Sequence, residues 1–155
     1  MTQAFVDRID ATGATISISE QDAALRAGEP LHRAFRLGNP HLTGDYVDYM
    51  RRMAGEGAGL VQLIDEGEVC AIAVWRAYLT TYTGRRFEID DLVTAEGQRS
   101  KGYGATLLRA LEAKACALKC NAVMLTSATW RVDAHRFYLR ERYTIGAFLF
   151  SKPLR

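Results

Sequence analysis

Two carboxylates and a glycine turn are where this chain could do chemistry. Glu88 and Asp90 stand two residues apart in Phe87-Glu-Ile-Asp-Asp-Leu-Val93, an extended run whose side chains alternate. They therefore share one face of a strand, while Phe87, Ile89 and Asp91 share the other. A carboxylate so placed can take a proton from a nucleophile, directly or through a water. The stretch from Gly97 to Gly104 then supplies Gly97, Gly102 and Gly104 with the cations Arg99 and Lys101. No breaker follows Ala105, and Leu107, Leu108, Leu111, Ala115 and Leu118 recur at helical spacing. A glycine turn that opens a helix gathers unpaired backbone N–H groups at the positive end of the helix dipole, a seat for a phosphate.

The spacing narrows which phosphate ligand this is. A P-loop needs Lys and then Ser or Thr after its second glycine, but Gly102 is followed by Tyr103 and Gly104. A dinucleotide fingerprint starting at Gly102 needs a glycine where Leu107 stands. On the residues alone, an ordinary strand-to-helix loop with two solvated cations accounts for the stretch equally well. Arg99-x-x-Gly102-x-Gly104 behind the strand Ile89-Asp90-Asp91-Leu92-Val93 resembles the GNAT N-acetyltransferases. Their Gln/Arg-x-x-Gly-x-Gly/Ala pattern binds the pyrophosphate of acetyl-coenzyme A, and the match continues through the helix. The resemblance implies an α/β (α+β) fold, with a mixed, mostly antiparallel sheet of six to seven strands flanked by four helices. It implies acetyl-CoA as co-substrate, on Arg99, Ser100, Lys101, Gly102, Tyr103, Gly104 and Ala105 and along Leu92, Val93 and Thr94. There two strands, Arg86 to Val93 and Ala122 to Thr126, should part, and edge N–H groups at Leu92 and Thr94 could bond the cofactor's amides.

Acetyl transfer from a thioester to an amine needs a base, because a free alkylamine, with a pKa of about 10.4, is mostly protonated near neutrality. Glu88 falls where histone-type members carry a catalytic glutamate, and Asp90 where polyamine-type members carry Glu. Asp90, nearer the parting strands, is preferred and Glu88 is second. The competing reading is surface pairing with Arg85, Arg86 or Arg99. The run from Asp133 to Tyr143 resembles the second GNAT signature, Asn-x-x-Ala-x-x-Phe-Tyr-x-x-x-Gly-Phe. It puts Tyr138 on the tyrosine that protonates the departing thiolate; a core tyrosine is the alternative. Arg131 replaces the usual asparagine. Arg142 replaces the glycine, so the helix must end without the residue that easily turns left-handed. His135 reads as a helix-surface residue, and His32 and His41 as loop or helix-end residues without partners.

The elements that must position these groups follow from the chain in order. At 155 residues one domain, 1–155, can bury a core unaided. A net charge of +2 argues for neither nucleic acid nor an anionic membrane. No apolar run reaches the roughly 18 residues of a spanning helix, so a cytoplasmic protein is expected. Three cysteines argue against a disulfide framework, and no histidine flanks Cys116 and Cys120 to make a zinc site. Residues 1–12 read as an arm or short edge strand and Ala14 to Ser19 as the first strand. Glu20 to Leu37 reads as two helical pieces split at Gly28-Glu29-Pro30. A helix capped by Thr43 or Asp45 runs to Met53, and strands cover Leu60 to Asp65, Val69 to Tyr82 and Arg86 to Val93. After the long helix come the strand Ala122 to Thr126, a helix from Val132 to Arg142 and a last strand from Thr144 to Ser151. Tyr46, Tyr82 and Trp130 are the candidate substrate-binding residues, since aromatic rings suit a cationic amine. The expected acceptor is the primary amine of a small molecule, attacking in a ternary complex. The rivals are a protein lysine or N-terminal acetyltransferase and a non-catalytic acyl-CoA sensor. A homodimer through the last strands is expected.

Overall fold

A computed structural model describes residues 5–154. The chain falls into two compact units, one up to Met124 and one from Leu125. In chain order the elements are β1 (Val6–Asp10), β2 (Thr15–Ile16), α1 (Gln21–Phe35), α2 (Tyr46–Gly55), β3 (Ala58–Asp65), β4 (Glu68–Thr80), β5 (Gly84–Thr94), α3 (Tyr103–Ala117), β6 (Ala122–Leu125) and α4 (Val132–Arg140). The six strands form one sheet in the order β2-β1-β3-β4-β5-β6. β1 runs parallel to β3, and β3, β4 and β5 are antiparallel in succession. Among the described residues no helix is long and apolar enough to cross a membrane.

In the first unit the sheet is covered on both faces. Leu25, Tyr46, Val47 and Met50 of α1 and α2 pack on Val6, Leu60, Ile72, Val74 and Val93. On the other side Leu107, Leu108, Leu111 and Ala115, the apolar stripe of α3, are all buried. Trp75 stacks on Phe87 there, with ring centroids 5.0 Å apart, and Lys114 of α3 lies 5.1 Å from the indole centroid.

Several boundaries differ from the sequence reading. The expected strand from Ala14 to Ser19 shrinks to the two residues of β2. The N-terminal stretch instead supplies β1, an inner strand between β2 and β3 with Val6 and Ile9 buried; residues 1–4 of the expected arm lie outside the described residues. α1 is one helix, not two. Gly28 marks close approach rather than a break, since a Cβ there would lie 2.4 Å from Gln62 Nε2 and 2.9 Å from Ile72 Cδ1. Pro30 sits on the exposed side of α1, where the carbonyl it leaves unpaired can turn to water. Asp45, not Thr43, caps α2, its carboxylate accepting from Asp48 N–H at 3.0 Å.

In the second unit the expected strand from Thr144 to Ser151 does not form. Residues 143–154 have no regular structure, and Ile145, Phe148, Leu149 and Phe150 are exposed. Alternation makes a strand only where a ladder partner stands beside it, and among the described residues this segment has none. α4 closes early, at Arg140. Arg142 N–H donates to Leu139 O at 3.1 Å and Tyr143 N–H to Tyr138 O at 3.0 Å, with Arg142 left-handed at φ 68°. That is the bonding of a glycine-type helix end, made here by an arginine.

Candidate active site

The loop between β5 and α3 is built to leave donors free. After the short turn Glu96–Gln98, Ser100 (φ 66°) and Gly102 (φ 84°) are both left-handed, and α3 starts at Tyr103. No Cβ at Gly102 would meet another atom within 4 Å, so its backbone angle, not crowding, calls for glycine. Gly102 provides no side-chain cap, whereas Asp45 caps α2. The N–H groups of Tyr103, Gly104 and Ala105 head the helix and have no acceptor within it. Arg99, Ser100 and Lys101 are exposed around them, with Lys101 Nζ donating to Gln98 Oε1 at 2.7 Å. Tyr103 differs from its neighbours, because its side chain is buried and its hydroxyl donates to Asp65. That bond, more than burial, pushes the phenol up to about 12. Tyr103 thus anchors the loop to the end of β3 and offers a ligand its backbone alone. The donor set suits an anionic group such as a pyrophosphate.

On β5 the alternation breaks. Ile89 pairs with Trp75 and Asp91 with Val74, so Asp90 is an extra residue in a bulge. The bulge turns Asp91 onto the face shared by Glu88 and Asp90, which corrects the expectation that it points away. Glu88 lies opposite Arg76 and is paired with Arg86. Burial raises its carboxyl above the ordinary glutamate range, with Arg86 partly opposing. Asp90 is more exposed and accepts from Arg76 Nε at 2.7 Å. Downstream, Leu92 and Thr94 pair with Ala73 and Ala71 of β4, and Val93 is buried in the core, available only through its backbone. On its other side β5 is tied to β6 near its start, where Asn121 N–H donates to Arg85 O at 2.7 Å and Arg85 N–H to Asn121 Oδ1 at 2.9 Å.

Asp91 belongs to a buried network that the sequence reading missed. One carboxylate oxygen accepts from His32 Nε2 at 2.7 Å and the other from Arg36. The other ring nitrogen, Nδ1, lies 2.9 Å from the Tyr46 hydroxyl. Burial, helped by the Arg36 charge, lowers His32 to about 4. The imidazole is therefore neutral, donating to Asp91 and accepting from Tyr46. Tyr46 is 1% exposed and so cannot line a substrate surface, in contrast to its expected role. A signal for His32 was present, since it continues the buried stripe Leu25, Gly28, His32 of α1. Tyr82, beyond β4, is 89% exposed.

In the second unit Tyr138 packs against Phe137 and Tyr143, with centroids 5.2 and 6.0 Å away. Burial pushes its phenol up, against a smaller pull from Arg131, so it stays a proton donor. His135 Nε2 donates to the Ala128 carbonyl at 2.9 Å, which fixes the approach to α4. Trp130 is 80% exposed.

Comparison with known proteins identifies the family and the fold. The chain is 33% identical over 115 residues to the uncharacterized N-acetyltransferase YhdJ of Bacillus subtilis, covering 71% of this chain and 81% of that protein. It is 39% identical over 67 residues to an aminoalkylphosphonate N-acetyltransferase of Salmonella typhimurium, 43% of this chain and 44% of that one. Its fold matches a solved Agrobacterium tumefaciens protein described as an acetyltransferase, with a TM-score of 0.75 at 22% identity over 90% of this chain and all of the other. The model of the acetyltransferase (GNAT) family matches residues 29–142, the greater part of the sequence. The chain belongs to the acetyltransferase (GNAT) family, and its chemistry is acyl transfer.

Proposed function

We propose that this protein transfers the acetyl group of acetyl-CoA to the primary amine of a small molecule by direct attack in a ternary complex. The observation that carries the base assignment is Glu88, a half-buried carboxylate raised by desolvation beside an arginine pair. A carboxyl raised by burial is a stronger proton acceptor for an ammonium than an exposed one. Glu88 is therefore the base, and Asp90, held by Arg76, assists in placing the amine. When bound, acetyl-CoA supplies the activated thioester. Around it, the N–H groups that open α3, with Arg99 and Lys101, hold the pyrophosphate. Glu88 would take the amine proton, and Tyr138, its phenol kept protonated by burial, would be the group to supply a proton to the leaving thiolate. The aminoalkylphosphonate N-acetyltransferase similarity supports a small acceptor over a protein one.

The test is release of coenzyme A thiol by the purified protein across a panel of amines. The expected outcome is turnover on a small primary amine, cut about 10²–10⁴-fold in Glu88→Gln and substantially in Tyr138→Phe. Tight coenzyme A binding without turnover on any amine would instead mark a sensor.

A further inference from the structure

The face of β4 and β5 turned towards α1 and α2 carries Arg76, Arg86 and three carboxylates, and Arg36 at the end of α1 reaches it. Arg76 and Tyr78 of β4 stand opposite Glu88 and Arg86 of β5. The charges are already matched, Arg86 with Glu88, Arg76 with Asp90 and Arg36 with Asp91. Apart from Arg36, at 40%, no side chain of the six is more than 30% exposed. Charges drawn part-way out of water are compensated only while each keeps its partner. A ligand that enters this face must therefore exchange partners without stranding a charge.

This condition selects the ligand. A bare ammonium bound by Glu88 and Asp90 would leave Arg86 with no counter-charge and Arg76 with only the distant, largely exposed Glu56, 4.0 Å away. A plain anion on the arginines would strand the carboxylates. A molecule carrying both charges replaces each internal pair with a new one. We infer that the acceptor is a compact zwitterion, an amine with a carboxylate or phosphonate one or two carbons away. Its ammonium meets Glu88 and Asp90 and its anion lies across Arg76 and Arg86. Cross-strand neighbours on one face lie about 4.5–5.5 Å apart and diagonal ones about 7 Å, a span such a molecule bridges. The planar forks of the two arginines suit a carboxylate or phosphonate, and the Tyr78 ring, 5.9 Å from Arg86, holds one of them in place. Arg36 takes no part, because Asp91 is also bonded to His32 and that pair stays closed.

The inference rests on the proposed acetyl transfer to a small amine, and the experiment keeps the two apart. β-Alanine, 2-aminoethylphosphonate, propylamine, 1,3-diaminopropane and a short peptide with a free N-terminus are compared as acceptors. At least one zwitterion should exceed propylamine in kcat/KM by about 30-fold or more, and the carboxylate and phosphonate arms show which anion is preferred. Arg76→Gln and Arg86→Gln should each cut that ratio at least tenfold, mainly through KM; a ratio taken within one variant cancels any loss of folded protein. Equal or better use of propylamine, the diamine or the peptide would overturn the inference and leave the enzyme reading standing. So would a ratio unchanged in both variants. If no amine is acetylated, the enzyme reading fails, and calorimetric binding of the same molecules with coenzyme A present decides the zwitterion preference by the same ratio.

Discussion

Glu88 and Asp91 lie three residues apart on one strand, face the same side of the sheet and each pair with an arginine, yet they are held differently. Asp91 is 9% exposed and has both oxygens committed, one to His32, itself bonded to Tyr46, and one to Arg36. Glu88 has Arg86 as its charge partner and a carboxyl raised by burial. The bulge at Asp90 is the boundary. Beyond it the charge is closed into a network joining α1, α2 and β5; before it the charge can change partners. Residue type does not separate a closed carboxylate from one left able to change partners, but the number of fixed partners does.

The comparison predicts a split between activity and stability. The largest effect is expected from Glu88→Gln, a loss of about 10²–10⁴ in kcat/KM with a stability loss smaller than that of Asp91→Asn, because one partner rather than two loses its carboxylate. Its acid limb should also report the base. Because the base acts deprotonated and burial has raised it, kcat/KM should fall with decreasing pH above the ordinary glutamate range. Asp91→Asn should do the opposite, costing about 3 kcal/mol of folding stability by leaving Arg36 and His32 without the carboxylate. Equal stability losses in the two variants would erase the distinction.

His32 sharpens it further. Its folded value, about 4, lies below the 6.5 of an unfolded chain. Between those values the unfolded chain binds a proton that the folded chain refuses, so stability is full above about 6.5 and falls as pH drops. By pH 5 the loss should be about 2 kcal/mol, and it should be absent in His32→Asn. Urea titrations of both proteins at pH 7 and 5 measure the difference. The smallest effect belongs to Asp90→Asn, which breaks a more exposed pair with Arg76 and should cost less than about 1 kcal/mol.

The parts of this account that rest on local pattern could be read from the sequence. The Phe87 to Leu118 strand, turn and helix show period two, then glycines, then period 3.6, and the structure builds them so. What could not be read depends on distant residues. Nothing in Asp90-Asp91 marks a bulge, which the pairing with Val74 and Trp75 creates. Gly28 and Pro30 look like a break until Gln62 and Ile72 approach from the sheet. The sequence offers Tyr46 as an aromatic substrate contact, because its burial comes only from the fold around His32. The segment from Thr144 to Ser151 has strand composition but no ladder partner among the described residues.

The central claim is that the start of α3 grips a pyrophosphate and sets the acyl group beside Glu88. A crystal structure with coenzyme A bound tests it most directly. The account predicts pyrophosphate oxygens within hydrogen-bond distance of the N–H groups of Gly102 to Ala105, with the pantetheine arm running along Leu92 to Thr94. A pyrophosphate seated elsewhere, with those N–H groups facing only water, would contradict it.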